Sequence, residues 1–371
     1  MKIKVNKGEL LKGVQIVGNI ITPKNMLPIL SNILFETTKN KLRLTTTDLD
    51  IGISVTIDAE VLEVGAITIP TKRLSDVIKE LPEGSVGINT KKNNIVDIQL
   101  GTCEFKLMGL PKEEFPKLPE FKDKEVITLE QQVLKTMLQL TSFAISHEET
   151  RYVLNGLLFE LKSGSTESGA ETSVKLVGTD GRRLAVVEKK LKTKTHKDVK
   201  IILPYKTVQE LLRNLKEEGD VFLVIGNNQA FFEMDGVVII SRLIEGDFPD
   251  YQKVIPHASA TKIRLNKEDF VLVLRRANLF TTPDFQAVRF ELFKNKLVVS
   301  KSTPDVGEFR EEIAIEYSGK ELVIGFNPGY LLDMLKYWRE DEVLLELFDT
   351  EKPGVVRTAD YTYIVQPMRL A

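Results

Sequence analysis

Apolar and polar positions along this chain repeat one order of elements three times, at a spacing of about 120 to 130 residues. Each copy opens on a short strand and passes into a helix whose apolar residues recur every three or four positions. In GELLKGVQIVGNI these are Leu10, Val14, Val17 and Ile20; in QQVLKTMLQLTSFAI they are Leu134, Leu138 and Ala144; in KEDFVLVLRRANLF they are Phe270, Leu274, Ala277 and Phe280. Such spacing gathers apolar side chains on one helix face. A strand pair follows in each copy, and it carries the same dipeptide, at Phe35 and Glu36, Phe159 and Glu160, and Phe290 and Glu291.

Further on, a strand runs through Pro or Asn-Pro into a second helix, in AITIPTKRLSDVIKEL, KIILPYKTVQELLRNL and LVIGFNPGYLLDMLKYW. Proline ends strand pairing and suits a first helical turn, which makes this a natural junction. Alternating strands close each copy. Proline-bearing links at EEFPKLPEF and GDFPDYQKVIP mark boundaries, predicting domains at 1–121, 122–256 and 257–371. The fold class is therefore α+β: three tandem domains, each with two helices on one face of a predominantly antiparallel sheet.

Composition narrows the function. With 42% apolar and 28% charged residues, the chain reads as a soluble globular protein, and no run approaches the roughly 18 apolar residues of a membrane helix. MKIKVNKGELLKG lacks a signal peptide's apolar core, so the mature chain is expected to start here. The single cysteine, Cys103, excludes an internal disulfide and fits a reducing cytoplasm. A formal net charge of -2 argues against coating DNA by bulk attraction, so any DNA contact must come from local placement of charge.

A repeated domain without repeated catalytic residues supplies shape, and related units joined through equivalent edges tend to close into rings. Two copies would set about twelve helices, each roughly 10 Å across, on a circle about 38 Å in diameter. The bore of about 28 Å passes a duplex of roughly 20 Å with room for water. Basic residues on the paired helices fit this picture: Lys72, Arg73 and Lys79 in the first copy, Lys206 and Arg213 in the second, Arg275 and Arg276 in the third. Solvated helix faces would look the same.

The motifs LPIL at 27–30, TDL at 47–49, RYVLNGLLFE at 151–160, TDGRRLAV at 179–186, FPDYQKVIP at 248–256, IGFNPGYLLDML at 324–335 and YIVQPMRL at 363–370 resemble the bacterial sliding clamps, the beta subunit of DNA polymerase III. The resemblance spans the whole chain. It implies a head-to-tail homodimeric ring on double-stranded DNA, loaded by an ATP-driven clamp loader. It also implies tethering of the replicative polymerase and other proteins that carry a clamp-binding motif, with no catalysis and no cofactor.

Matching motifs assign a partner-peptide cleft to Arg151, Leu154, Thr179, Gly181, Arg182, Arg183, Leu184, Pro249, Val254, Ile364, Val365, Pro367, Met368, Arg369 and Leu370. Apolar members would accept a Leu or Phe anchor while the basic ones hold its polar groups. Interior packing of the last strand is the ordinary alternative. Gln366 and Arg182 stand where the family often has Met and His. On the DNA side Lys24 takes the place of a family arginine, keeping the charge without the two-pronged phosphate contact. At the ring seam the resemblance points to Phe105 and Leu107 of one copy and Leu279 and Phe280 of the other.

Enzyme chemistry finds little support. There is no P-loop, Rossmann fingerprint or HExxH. His147, His196 and His257 are scattered, and Cys103 lies in an alternating strand with no His beside it. Asp48 and Asp180 recur at equivalent positions, which points to turns and away from a metal pair. A nuclease with carboxylates gathered across domains, or a scaffold that ignores DNA, remain the competing readings.

Overall fold

The computed structural model describes residues 1–21, 27–119, 125–148, 150–166, 169–191, 198–256 and 261–370. Six α-helices lie among them, two per sequence repeat: α1 (Lys7–Gly18) and α2 (Thr71–Glu80), α3 (Gln131–Thr141) and α4 (Tyr205–Asn214), α5 (Lys267–Asn278) and α6 (Pro328–Leu335). Asparagine starts three of them. Asn6 accepts from the Gly8 and Glu9 amides at 2.8 and 3.3 Å, Asn266 from Asp269 at 3.1 Å, and Asn327 from Gly329 at 2.9 Å. Each thereby satisfies amides that a first helical turn leaves unpaired.

Every strand pairing among the described residues is antiparallel. The repeat is finer than the sequence reading expected. Each copy runs twice through strand, helix and three strands, as in Lys2–Asn6, α1, Asn32–Thr38, Lys41–Thr47 and Ile51–Asp58, then Ala66–Pro70, α2, Ser85–Thr90, Ile95–Leu100 and Cys103–Met108. The two rounds exchange their opening strands: Lys2–Asn6 pairs with Ser85–Thr90, and Ala66–Pro70 with Asn32–Thr38. One copy therefore feeds two sheets. Its helices do not lie on one face of one sheet, because α1 touches both Lys2–Asn6 and Ile51–Asp58, and α2 both Ala66–Pro70 and Cys103–Met108.

The chain divides into two compact units, Met1–Lys135 with Lys206–Leu243, and Thr136–Tyr205 with Ile244–Ala371. The central repeat contributes to both. In the first unit its strand Val237–Arg242 pairs with Ile51–Asp58, setting Ile239 opposite Ile53 and completing an eight-stranded sheet. In the second, Arg183–Leu191 pairs with Tyr361–Val365, Ala185 opposite Tyr363, to complete another. Each unit also holds a smaller sheet. The first has five strands and ends on Cys103–Met108; the second has four and ends on Gly307–Ala314.

The recurring Phe-Glu dipeptide sits at the centre of this packing. Phe35, Phe159 and Phe290 are buried, while Glu36, Glu160 and Glu291 on the opposite strand face are partly open. Phe159→Ala is expected to remove roughly 3–5 kcal/mol of stability. Urea unfolding would read this as a lower midpoint, with Glu160→Ala as the mild comparison, and a Phe159→Ala midpoint equal to wild type would contradict the placement.

Candidate functional site

Two tight turns of the same construction flank the joins between repeats. In the first unit Asp48 Oδ1 accepts from the Asp50 and Ile51 amides at 3.0 and 2.8 Å; in the second Asp180 Oδ1 accepts from Arg182 and Arg183 at 2.8 and 3.0 Å. Thr47 and Thr179 reach across to the carbonyls of Ile51 and Arg183 at 3.0 and 2.6 Å. The residue after each aspartate has a positive φ, 81° at Leu49 and 85° at Gly181. Glycine suits the second turn for another reason as well: a Cβ there would lie 2.4 Å from Arg151 Nη1, so a larger residue would push that side chain aside. That nitrogen donates to the Asp180 carbonyl at 2.6 Å.

A cation holds each turn to its surroundings. In the second unit Arg183 Nε donates to Asp180 Oδ2 at 3.0 Å, Nη1 to Asp333 Oδ2 on α6 at 2.6 Å, and Nη2 to the Phe143 carbonyl just past α3 at 2.5 Å. Its guanidinium centre lies 4.5 Å from the Tyr330 ring centroid and 5.5 Å from that of Phe143. Burial alone would lower the pKa of Arg183, but the carboxylates of Asp333 and Asp180 hold it above the ordinary value, so it stays charged. Burial pushes the Tyr363 phenol up, keeping it neutral, and it donates to the Tyr330 carbonyl at 2.7 Å. In the first unit the cation comes from the other side. Lys206, second residue of α4, donates to Asp48 Oδ2 and, at 2.9 Å, to the Ile20 carbonyl just past α1.

Beside the second turn lies a cavity of about 150 Å³ lined by Leu154, Thr179, Gly181, Arg183, Leu184, Pro249, Asp250, Tyr251, Val254, Ile364 and Gln366. Small-molecule sites usually run to some 300–1,000 Å³, so this slot suits one anchoring side chain more than a whole ligand. Its floor is the buried cluster of Leu154, Leu184, Tyr251 and Ile364, and Val254 at its rim is 47% exposed. Sequence reasoning missed Tyr251 and Asp250 as lining residues, whereas Gln366 stands at the cleft position where it was expected. The pattern FPDY at 248–251, repeating FPKL at 115–118, is the signal that would have found Tyr251.

Several expected members lie elsewhere. Val365, on the strand face opposite Ile364, is buried against Gly354. The Met368 amide bonds to the Gly325 carbonyl at 2.8 Å, and a Cβ on Gly325 would meet the Leu370 side chain at 2.8 Å, so the tail packs down on Leu322–Phe326. Leu370 lines a separate cavity with Arg289, Lys301 and Arg310. Pro367 and Met368 are half-buried, and Arg369 is exposed, none of them lining the slot. Of the basic residues expected to hold a peptide's polar groups, Arg183 is committed within the chain, whereas Arg182 is exposed.

The expected DNA-facing set also divides. Lys72, Arg73, Lys79 and Arg275 are exposed. Lys206 is not available, being held by Asp48 and Ile20 as above, because breaking a partly buried ion pair to meet a mobile phosphate gains little. Arg213 pairs with Glu210, whose burial raises its carboxyl pKa, and Arg276 grips Glu311 with two bonds at 2.7 and 2.5 Å. Lys24 lies outside the described residues, as do His196 and His257. Phe105 and Leu107 sit half-buried on Cys103–Met108, while Leu279 is 76% exposed and Phe280 stacks on Phe309 at 6.2 Å. Among the described residues no group of three His, Cys, Asp or Glu could hold a metal ion, and no helix is long and apolar enough to cross a membrane.

Residues 1–119, 128–250 and 252–369 match in turn the family models of the DNA polymerase III beta subunit, N-terminal, central and C-terminal domains. A beta sliding clamp of Chlamydia pneumoniae is 33% identical over 371 residues, covering 100% of this chain and 99% of its own. One from Proteus mirabilis is 32% identical over 377 residues, covering both chains fully. Among solved structures, the sliding clamp (DNA polymerase III subunit beta) from Bartonella birtlesii bound to griselimycin superposes with a TM-score of 0.94 at 32% identity, and the DNA polymerase sliding clamp from Bacillus subtilis with 0.93 at 27%. Each covers 100% of both chains.

Arg183→Ala would strand Asp180 and open the Phe143 carbonyl, at a cost on the order of 3 kcal/mol. Arg182→Ala, at an exposed position, should change stability by less than about 0.5 kcal/mol. Chemical denaturation of the two variants checks this, and equal midpoints would contradict the roles given to the neighbouring arginines.

Proposed function

The chain belongs to the bacterial sliding clamps, the beta subunit of DNA polymerase III, a family of non-catalytic processivity factors, and on that premise we propose that two copies close head to tail into a ring around double-stranded DNA. The ring would slide without regard to sequence and tether the replicative polymerase, the clamp loader and other partners in the cytoplasm. Their short motifs would dock an apolar anchor into the slot floored by Leu154, Leu184, Tyr251 and Ile364, with Arg151, Arg182, Thr179, Gly181, Pro249 and Val254 at its rim. We keep the domain boundaries at 121 and 256. Lys72, Arg73, Lys79 and Arg275 are the cations left for phosphates.

One observation carries the ring: each chain joins neighbouring repeats into two eight-stranded sheets and leaves the strands equivalent to those joins unjoined at one end of each smaller sheet. Among the described residues, Cys103–Met108 and Gly307–Ala314 each pair on one side alone. Both internal joins use the strands equivalent to these two, counted from the Phe-Glu dipeptides and the hairpins. In both, the position equivalent to Phe105 stands opposite the position equivalent to Phe309: Ile239 opposite Ile53, and Tyr363 opposite Ala185. Carried to the open edges, this register sets Phe105 against Phe309 of a second copy, Glu104 against Arg310, and Lys106 against Glu308. All three pairs are complementary, and the pairing removes two edges that would otherwise invite aggregation. A second copy makes the same joint in return, which closes the assembly.

Loaded protein should stay on a nicked circular plasmid and run off once the plasmid is linearised; equal retention on both would reject the ring. The register has its own test. Glu104→Arg should weaken the dimer by about tenfold or more through like charges, and adding Arg310→Glu should restore it. Sedimentation of the two variants showing no rescue would reject that alignment.

A further inference from the structure

Resting on the ring reading, the turns described above bear on how tightly the joint between copies is held. Each internal joint has three parts: a turn carboxylate, a carbonyl just past the first helix, and a cation that binds both. In the first joint Lys206 binds Asp48 and the Ile20 carbonyl; in the second Arg183 binds Asp180 and the Phe143 carbonyl and reaches Asp333 on α6. The donor changes sides for a simple reason. α6 carries Gly329 at the position where α4 carries Lys206, so the helix has no side chain to give, and the turn supplies Arg183 instead.

The third turn, which would face the second copy, is built differently. The strand register places Thr303 where the others have Asp48 and Asp180. Its hydroxyl donates to the Phe280 carbonyl at 2.5 Å, so the carbonyl past α5 is satisfied within its own repeat. The helix that would meet this turn across the seam is α2 of the other copy. α2 begins one residue after Pro70 as α4 begins one residue after Pro204, which puts Lys72 at the place of Lys206. Lys72 is exposed and among the described residues forms no ion pair. We propose that the joint between copies lacks the carboxylate that stands at Asp48 and Asp180 in the two internal joints, that Lys72 is the cation left without that partner, and that Thr303 thereby leaves this joint held less tightly than the internal ones.

Restoring the carboxylate should lock the ring. Thr303→Asp is compared with Thr303→Asn, which loses the same hydroxyl bond without adding charge, so that any common effect on folding cancels. The dimer dissociation constant, from sedimentation at several concentrations, should be about tenfold lower for Thr303→Asp than for Thr303→Asn, and the dwell time on nicked circular plasmid longer. Lys72→Ala should erase the gain in the dimer dissociation constant, which is read without DNA, while changing the wild-type constant by less than about twofold. Equal constants for the two Thr303 variants, or a gain that survives Lys72→Ala, would overturn the proposal. So would a wild-type dimer that Asp305→Asn weakens only when Lys72 is present, because the seam would then have a carboxylate of its own. A wild-type protein that is monomeric throughout would instead reject the ring on which the proposal rests.

Discussion

A β-strand at the edge of a sheet carries a row of amides and carbonyls that must be paired, covered or left to water, and this constraint organises the molecule. No repeat here satisfies its own edges. Val237–Arg242 is completed by Ile51–Asp58, and Arg183–Leu191 by Tyr361–Val365, so each repeat finds backbone partners in the next. This is why the chain divides into two units that cut the central repeat, although its sequence has three. The same logic leaves Cys103–Met108 and Gly307–Ala314 as the two edges a second copy would fill.

Backbone pairing alone would tolerate slippage by one residue, which would turn every side chain to the wrong face. The charged turns pin it. Asp180 and Arg183 stand at the start of the joined strand, and Arg183 ties that start to α6 and to the residue past α3. Lys206 does the same for Asp48 from the opposite side. The slot proposed for a partner peptide then follows from geometry: the turn that locks the joint is also its wall. The missing side chain at Gly181 leaves space that Arg151 occupies, and Tyr251 of the linker forms part of the floor. A docking site at this joint, rather than in the middle of a repeat, is what the packing favours.

Much of this was legible in the sequence because it depends on local periodicity. The three helical stripes, the Phe-Glu dipeptides and the Pro-led second helices place all six helices of the described chain, and Asp48 and Asp180 read correctly as turn residues. What stayed hidden depends on contacts between distant segments. The exchange of opening strands between the two rounds of a repeat leaves no trace in spacing, so one sheet per repeat was the natural expectation. Lys206 looks like any exposed helix lysine until Asp48, 158 positions away in sequence, is brought beside it. The tail illustrates the same limit. QPMRL is apolar enough to line a groove, yet the Gly325 carbonyl and its missing side chain draw Met368 and Leu370 down onto another strand.

Amide hydrogen exchange tests the edge-pairing account most directly, read on Cys103–Met108 and Gly307–Ala314 as the protein is diluted from dimer to monomer. Both strands should be protected together in the concentrated sample and lose protection together on dilution, while Val237–Arg242 and Arg183–Leu191 stay protected throughout. Exchange at the two outer strands that is fast at every concentration, or slow at every concentration, would contradict it.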